Sequence, residues 1–133
     1  MSPEDALRSP EVVDLTRSVV MTGDAFSHSP NCDGAGKTCT LGLHTMMIGS
    51  GSVLRVSYTR VERCGQRGVL GRYCLHFHLI GACPDCLLQG NAIEHSHQRG
   101  IVIHGTHEAT VSENVLYDVR GANICATPRS LDP

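Results

Sequence analysis

The chain has 133 residues, which is enough for one domain with a modest core, and its formal net charge is −2. Lys37 is the only lysine, and no cluster of basic residues has the density of a nucleic-acid-binding surface. No apolar run is long enough for a transmembrane helix, and the polar start MSPEDALRSP does not have the form of a signal peptide. We therefore expect no nucleic-acid partner and no membrane-spanning segment within this sequence.

Short apolar runs rich in Val, Ile, Leu and Thr predict strands rather than helices. Residues 1–10 are expected to form a disordered leader, and EVVDLTRSVVMTG (residues 11–23) contains the first two apolar runs. Residues 23–42 are polar and rich in glycine, which predicts a long loop. Further strands are predicted at Leu43–Ile48, Val53–Val61, Leu75–Leu79, Leu87–Ile93, Ile101–His104, Thr110–Leu116 and Ala122–Ala126.

An internal repeat relates several of these predicted strands. VSYTRV (56–61), LQGNAI (88–93) and VSENVL (111–116) each place apolar residues five positions apart. The last two copies are 23 residues apart and the first two are 32 apart, and we assign the excess to an insertion around GRYCLHFHLIGACPD. A repeat of about this length is typical of a β-solenoid, in which each coil buries its apolar face against its neighbours.

The corners of the expected coils also repeat. The triplet Gln-Arg-Gly occurs at 66–68 and 98–100, and Arg120–Gly121 echoes it. Asn91 and Asn114 occupy the same place in the repeat, which predicts a buried amide ladder at a turn. A β-sandwich also uses many short strands and is the structural alternative. The repeat period and the recurring corner triplet favour the solenoid.

The chain contains seven cysteines, so at least one thiol is unpaired or pairs outside the chain. Cys32 and Cys39 flank the loop DGAGKT, which is compatible with a small disulfide loop. Cys83 and Cys86 form a CxxC that could be a disulfide, a redox pair or half of a zinc knuckle, but no second CxxC exists. Loop disulfides and buried free thiols remain the two alternatives.

The segment GQRGVLGRYCLHFHLIG (65–81) resembles the GQ…LGRYP(I/V)HFH segment of the eight-glycine-domain family, which includes fibrocystin-L, the cell-migration-inducing hyaluronan-binding protein and the cell-surface hyaluronidases. HSHQRGIVIHGTH (95–107) and ENVLYDVRGAN (113–123) resemble later coils of that family, and residues 11–23 resemble its entry to the helix. The resemblance implies an all-β protein, a right-handed single-stranded parallel β-helix over residues 11–126, as a partial segment of a longer helix.

The chain departs from the family pattern at two places. Cys74 stands where the family has proline, and Thr127 and Pro128 replace the acidic pair of a Glu-Asp-Gly turn. Residues 127–133 are therefore expected to be a divergent tail, and a function that needs those carboxylates is in doubt for this chain.

Three histidines are the candidate metal ligands. Alternate side chains of a strand share a face, so Leu75, Phe77 and Leu79 are predicted to point inward and His76 and His78 outward. In the next coil Ile101 and Ile103 are predicted inward, which leaves Val102 and His104 on the outer face. Imidazoles at His76, His78 and His104 could bind zinc or a similar divalent metal with an open position for water. The alternative is a polar ladder of stacked imidazoles.

Four residues are candidates for binding a substrate. The guanidinium of Arg72 could bind a sugar carboxylate, although a structural role with loop carbonyls is the alternative. The ring of Tyr73 could stack on a sugar or cover the edge of a coil. His95 and His97 share a face near a corner and are interpreted as a surface pair. No catalytic residue is predicted, because neither a carboxylate pair nor a GxSxG-type turn stands out.

Two functions follow from these expectations. The first is an extracellular module that binds or acts on an acidic polysaccharide such as hyaluronan, a possible hydrolase or lyase, with this segment expected to be inactive alone. The second is a non-catalytic structural segment of a large cell-surface receptor of the fibrocystin-L type. Both place the chain in a secreted protein or an ectodomain with flanking domains. Fold alone does not separate them.

Overall fold

The computed structural model describes residues 12–24 and 40–128 of the chain. The predicted leader, most of the predicted loop 23–42 with Cys32 and Cys39, and residues 129–133 of the predicted tail lie outside these ranges. Within them the chain forms no α-helix, and no segment could cross a membrane as an apolar helix. The strands are β1 (Val19–Thr22), β2 (Met47–Ile48), β3 (Arg55–Ser57), β4 (Thr59–Glu62), β5 (Leu75–Ala82), β6 (Leu87–Gln89), β7 (Ala92–Ser96), β8 (Ile101–His107), β9 (Thr110–Ser112), β10 (Val115–Val119) and β11 (Ile124–Thr127).

These strands form three parallel sheets. Sheet 1 has the order β1-β4-β7-β10, sheet 2 has the order β2-β5-β8-β11, and sheet 3 has the order β3-β6-β9. Each coil contributes one strand to each sheet in turn, and every pairing between these strands is parallel. The predicted parallel β-helix is therefore confirmed, and the β-sandwich alternative, which requires antiparallel sheets, is excluded.

The register of the sheets confirms the sequence repeat. In sheet 1 Val61 pairs with Ile93, and Ile93 pairs with Leu116. In sheet 3 Leu88 lies between Val56 and Val111. The repeated apolar positions therefore stack above one another inside the helix, where Val61, Leu88 and Ile93 are fully buried. Stacking of this kind buries a continuous core that no single coil could bury alone.

The insertion is divided among three places. The offset between paired residues is 32 at Val61–Ile93 but 26 at Leu75–Ile101, so most of the additional residues lie before Leu75. One more lies at the register shift between His78 and Gly81, and the remainder lies between β5 and β6. The longer part is the stretch 65–73, which we call the cover segment. Its position decides the environment of sheet 2.

A corner divides each of the predicted strands Val53–Val61, Leu87–Ile93 and Thr110–Leu116. Tyr58 has a φ of 50°, and the equivalent residues of the next coils, Gly90 and Glu113, have φ of 63° and 57°. A left-handed residue at the same position of each coil turns the chain from sheet 3 into sheet 1. Gly90 is needed there for a second reason, since a Cβ at this residue would lie 2.5 Å from the ring of Tyr58.

The amide ladder predicted for Asn91 and Asn114 is present beside this corner. Asn91 Nδ2 donates to Asn114 Oδ1 at 2.9 Å and to Val56 O at 2.9 Å. Asn91 Oδ1 accepts from the backbone N–H of Thr59 at 3.0 Å, and Asn114 Nδ2 donates to Leu88 O at 2.8 Å. The two side chains thus satisfy buried backbone groups of successive coils, which is a structural role.

Replacing Asn91 with Ala is expected to destabilise the protein by about 1–3 kcal/mol, because the carbonyl of Val56 and the N–H of Thr59 lose their partners while they remain buried. Urea unfolding followed by circular dichroism measures the change. The matched control is Asn123→Ala at an exposed corner residue, for which we expect a change within about 0.5 kcal/mol. Equal effects of the two substitutions would contradict the ladder's role.

Candidate metal centre

Strands β5 and β8 bring His76, His78 and His104 together. His78 pairs in register with His104 across the two strands. The ring centroids of His76 and His78 are 4.9 Å apart, and those of His78 and His104 are 4.8 Å apart. His76 Nε2 lies 3.3 Å from His78 Nδ1, which lies 3.2 Å from His104 Nδ1. Ligand nitrogens of all three residues lie within 4.8 Å of one another.

The inward assignments of Leu75, Phe77 and Ile101 are confirmed, since all three are in the core, and Ile103 packs against it. The inward assignment of Leu79 is wrong, because its exposed fraction is 36%. Leu79 has a φ of 55°, and the β5–β8 register shifts between His78 and Gly81. A bulge adds a residue to one strand and reverses the alternation after it, so the pattern cannot be extended past His78.

The histidines are not on an open outer face as predicted. The exposed fraction of His76 is 0% and that of His104 is 1%, while His78 is half-buried. The cover segment folds over this face of sheet 2 and places the carbonyl oxygen of Gly71 3.1 Å from His76 Nδ1. The ring of Tyr73 lies 4.9 Å from that of His76. Alternation along a strand identifies a face, but only the tertiary fold decides whether water reaches it.

The contact with Gly71 determines the tautomer of His76. A carbonyl oxygen can only accept, so His76 Nδ1 carries the hydrogen and Nε2 presents a lone pair to His78. Burial lowers the pKa of His76 to about 4, against the hydrogen bond to Gly71, and the nearby His78, His104 and Arg99 add to the lowering. His76 is therefore neutral at pH 7, which is the state that binds a metal.

Two of the three nitrogen separations match a tetrahedral ion, and the third, between His76 and His104, is within 4.8 Å. Zinc–nitrogen bonds of about 2.0–2.1 Å place two tetrahedral ligands about 3.3–3.4 Å apart, close to the separations of 3.3 and 3.2 Å in this cluster. His104 Nε2 is buried and has no hydrogen-bond partner within the part of the chain that the structure describes. Buried polar atoms without partners are uncommon, and a bound water at Nε2 would supply one, whereas an ion would bind the other ring nitrogen, Nδ1, which faces His78. The triad could therefore hold a metal ion.

Arg99 is a neighbour of the cluster that the sequence analysis did not identify as functional. Its Cζ lies 5.4 Å from the centroid of the Tyr73 ring, and its charge contributes to the low pKa of His76. Its Nη1 is buried without a hydrogen-bond partner among residues 12–24 and 40–128. Arg99 is the middle residue of the second Gln-Arg-Gly triplet. That recurrence marks Arg99 in the sequence, but by itself it indicates only a corner.

The four predicted substrate-binding residues have different surroundings. Tyr73 is fully buried, so its ring cannot stack on a sugar at the surface, and it packs on His76 and under Arg99 instead. Arg72 is exposed, and its Nη1 contacts His44 Nε2. The pKa of His44 is lowered by burial and by the charge of Arg72.

His95 and His97 lie at the corner after sheet 1. His95 is exposed, with Nδ1 2.9 Å from Asp118 Oδ2 and Nε2 3.8 Å from Glu94 Oε2. His97 is half-buried and lines a separate cavity with two arginines. The two imidazoles are therefore in different environments, one beside carboxylates and one beside guanidinium groups.

Two disulfides are present in the described part of the chain. Cys64–Cys74, with a sequence separation of 10, closes the cover segment at its two ends. Cys83–Cys86 closes the CxxC, so this motif is a loop disulfide and not half of a zinc knuckle. Cys125 is a half-buried free thiol, in agreement with the odd number of cysteines.

Residues 40–125 match the family model described as CEMIP beta-helix. Fibrocystin-L from Mus musculus is 40% identical over 81 residues, which are 59% of this chain and 2% of that protein. A G8 domain-containing protein from Dictyostelium discoideum is 31% identical over 111 residues, 84% of this chain and 9% of that protein. Human cell surface hyaluronidase CEMIP2 is 30% identical over 124 residues, which are 84% of this chain and 9% of that protein. No solved structure matches. The chain thus spans only a small part of these relatives.

Proposed function

Because the chain belongs to the CEMIP β-helix family, we propose that it is part of a cell-surface or secreted protein, in which it binds an acidic polysaccharide such as hyaluronan with the help of a divalent metal ion. The observation that carries the proposal is the cluster of three imidazole nitrogens, from His76, His78 and His104, which lie within 4.8 Å of one another on β5 and β8. The resemblance to a protein named as a cell surface hyaluronidase supplies the class of ligand.

His76 Nε2, His78 Nδ1 and His104 Nδ1 would hold the ion. With these ligands, a zinc-like ion would supply Lewis acidity toward a carboxylate or hydroxyl oxygen of the sugar chain. The cover segment limits the access of water to this point through Gly71 and Tyr73, and a lower local dielectric strengthens the attraction between opposite charges. Arg99 adds a second positive group beside the cluster, which favours an anionic ligand.

We propose binding and not cleavage because the carboxylates of Glu62 and Glu94 lie away from the histidine cluster. Glu62 and Glu94 are on sheet 1, and both are within 3.5 Å of Arg60 Nε. A glycosidase acid or base must lie beside the scissile bond, and these two carboxylates already neutralise an arginine on another face. A hydrolase or lyase activity would require groups from other parts of a longer protein.

The disulfides support the proposed location. Cys64–Cys74 and Cys83–Cys86 are both buried bonds within the core of the coils. Disulfides persist in secreted and extracellular proteins and are rare in reducing compartments. A cell-surface or secreted location is therefore the one in which both bonds would be retained.

Elemental analysis of the purified protein tests the metal site. We expect one zinc or similar ion per chain in the wild type and almost none in the His76→Ala/His104→Ala variant, which removes two of three ligands. The matched control is His95→Ala/His107→Ala, which removes two exposed imidazoles and should retain the metal. Hyaluronan oligosaccharides should bind the metal-loaded wild type more tightly than the chelator-treated protein. A folded wild type that takes up no metal would contradict the site.

The second candidate function is a structural segment of a receptor of the fibrocystin-L type. The observation that favours it is the complete burial of His76 and His104, since buried imidazoles can also serve as packing residues. In that case the double variant would lose stability without any change in metal content or polysaccharide binding. The two functions are thus separated by the same pair of variants.

A further inference from the structure

A positively charged cavity lies at the corner of the coils between sheets 1 and 2. It has a volume of about 340 Å³ and is lined by Arg67, Gly68, His97, Gln98 and Arg120. Its three basic residues come from three successive coils. The N–H of His97 donates to Cys64 O at 2.9 Å, and the N–H of Arg120 donates to Ser96 O at 3.1 Å, so these corners stack directly. His97 and Arg120 therefore stack along the helix axis, and Arg67, from the cover segment, lines the same cavity.

The two arginines of this corner have no direct ion-pair partner among the described residues, and Asp118 is a carboxylate close enough to act on Arg120 and His97. Over residues 12–24 and 40–128, neither Arg67 nor Arg120 forms an ion pair or a side-chain hydrogen bond. The pKa of His97 is lowered by burial first and then by the charges of Arg120 and Arg67, with only Asp118 opposing. Because the charges of Arg120 and Arg67 both lower the pKa of His97, both guanidinium groups lie close to its imidazole.

This arrangement suits an oxyanion. Two guanidinium groups beside one cavity repel each other. An anion between them is attracted to both, and this attraction offsets their mutual repulsion. The planar guanidinium binds carboxylate and sulfate oxygens through two parallel hydrogen bonds, and a neutral imidazole can donate a third. Corners two coils apart are separated by about 9–10 Å along the axis. An extended chain with repeated anionic groups could therefore contact both arginines as it runs along the helix.

We propose that Arg67, His97 and Arg120 form an oxyanion-binding subsite that takes a carboxylate or sulfate group of an acidic polysaccharide. The identity of the ligand as a polysaccharide rests on the function proposed above, whereas oxyanion binding at this corner does not. The subsite is separate from the histidine cluster, because none of its lining residues belongs to that cluster. Two of the three recurring Arg-Gly corners, at 67–68 and 120–121, contribute to it.

The experiment is a titration of the chelator-treated wild type with sodium sulfate and with hyaluronan oligosaccharides, followed by NMR signals of the His97 ring. Because the metal is absent, failure of the metal site does not affect the result. We expect saturable shifts at His97 with both probes if any oxyanion is accepted. A response to the oligosaccharide alone would assign the subsite to carboxylates, and a response to sulfate alone would assign it to sulfated chains.

The Arg67→Gln/Arg120→Gln variant is expected to bind the responding probe at least tenfold more weakly, with a shallower dependence of affinity on salt. The matched control is Arg55→Gln/Arg63→Gln, which removes the same charge from two other sites and should bind within twofold of the wild type. The proposal is overturned if His97 shows no shift with either probe, or if both variants lose the same affinity.

Discussion

Replacing Phe77 with Ala is expected to lower the free energy of unfolding by about 3–5 kcal/mol. Phe77 is fully buried in the centre of β5, and it pairs with Met47 on one side and Ile103 on the other. Its removal would leave a cavity in the core, because close-packed interiors relax only in part around a lost ring. Urea denaturation of the wild type and the variant measures the difference.

Leu79→Ala is the matched control for this prediction. Leu79 lies on the same strand and was assigned to the same face by sequence alternation, yet it is partly exposed after the bulge. We expect its substitution to cost about 1 kcal/mol or less. A loss at Leu79 as large as that at Phe77 would mean that the alternation continues through β5 and that the bulge is wrong.

Replacing Cys64 and Cys74 with Ser is expected to cost about 2–4 kcal/mol and to uncover the histidine cluster. The bond closes a loop with a sequence separation of 10, and loss of the bond increases the entropy of the unfolded chain. It also releases both ends of the cover segment, which contacts His76 through Gly71 and Tyr73. Chemical unfolding measures the first effect. Modification of histidines by diethylpyrocarbonate, located by mass spectrometry, measures the second.

Cys83→Ser/Cys86→Ser is the control, because that bond spans a sequence separation of only 3. The chain-entropy account predicts a loss smaller by about 1 kcal/mol. His76 should stay protected from modification in this control and become reactive in the Cys64→Ser/Cys74→Ser variant. If His76 stays protected in both variants, the cover segment is held by its own contacts and the disulfide is not what keeps it closed.

The proposed metal site and the proposed oxyanion subsite differ in what they require. The histidine cluster is buried and depends on the cover segment, so metal binding should respond to substitutions at Cys64 and Cys74. The Arg67–His97–Arg120 corner includes Arg67, which is itself a residue of the cover segment. Opening that segment should therefore weaken both sites, whereas metal removal should affect only the first.

Much of the fold could be predicted because the stacked coils of a β-helix have similar lengths, so the apolar positions recur in the sequence at the length of one coil. The offsets of 32 and 23 residues between the three hexapeptides reappear as the pairs Val61–Ile93 and Ile93–Leu116. The alternation in β5 up to His78, and the alignment of Asn91 with Asn114, follow from the same local rules of strand geometry. The same alternation predicts that the side chains of the three histidines share one face of the sheet.

Other features required the tertiary structure, because they depend on contacts between residues far apart in the chain. The left-handed corner at Tyr58 splits one predicted strand in two, and the bulge after His78 turns Leu79 outward. Burial of Tyr73 and pairing of Cys64 with Cys74 arise because the cover segment folds back over sheet 2. The offsets of 32 and 23 residues give the total length of the insertion, but not its division along the coil or the direction of the cover segment.

The sequence by itself determined the class of fold, the period of the coils and the side chains that share a face, since each depends on residues a few positions or one coil apart. The tertiary structure decided which of those faces is exposed to solvent. It enclosed His76 and His104, and it gathered Arg67, His97 and Arg120 around one cavity. The physical reason is that burial and electrostatic potential are sums over all neighbours in space, and an insertion in one coil can change them for the next.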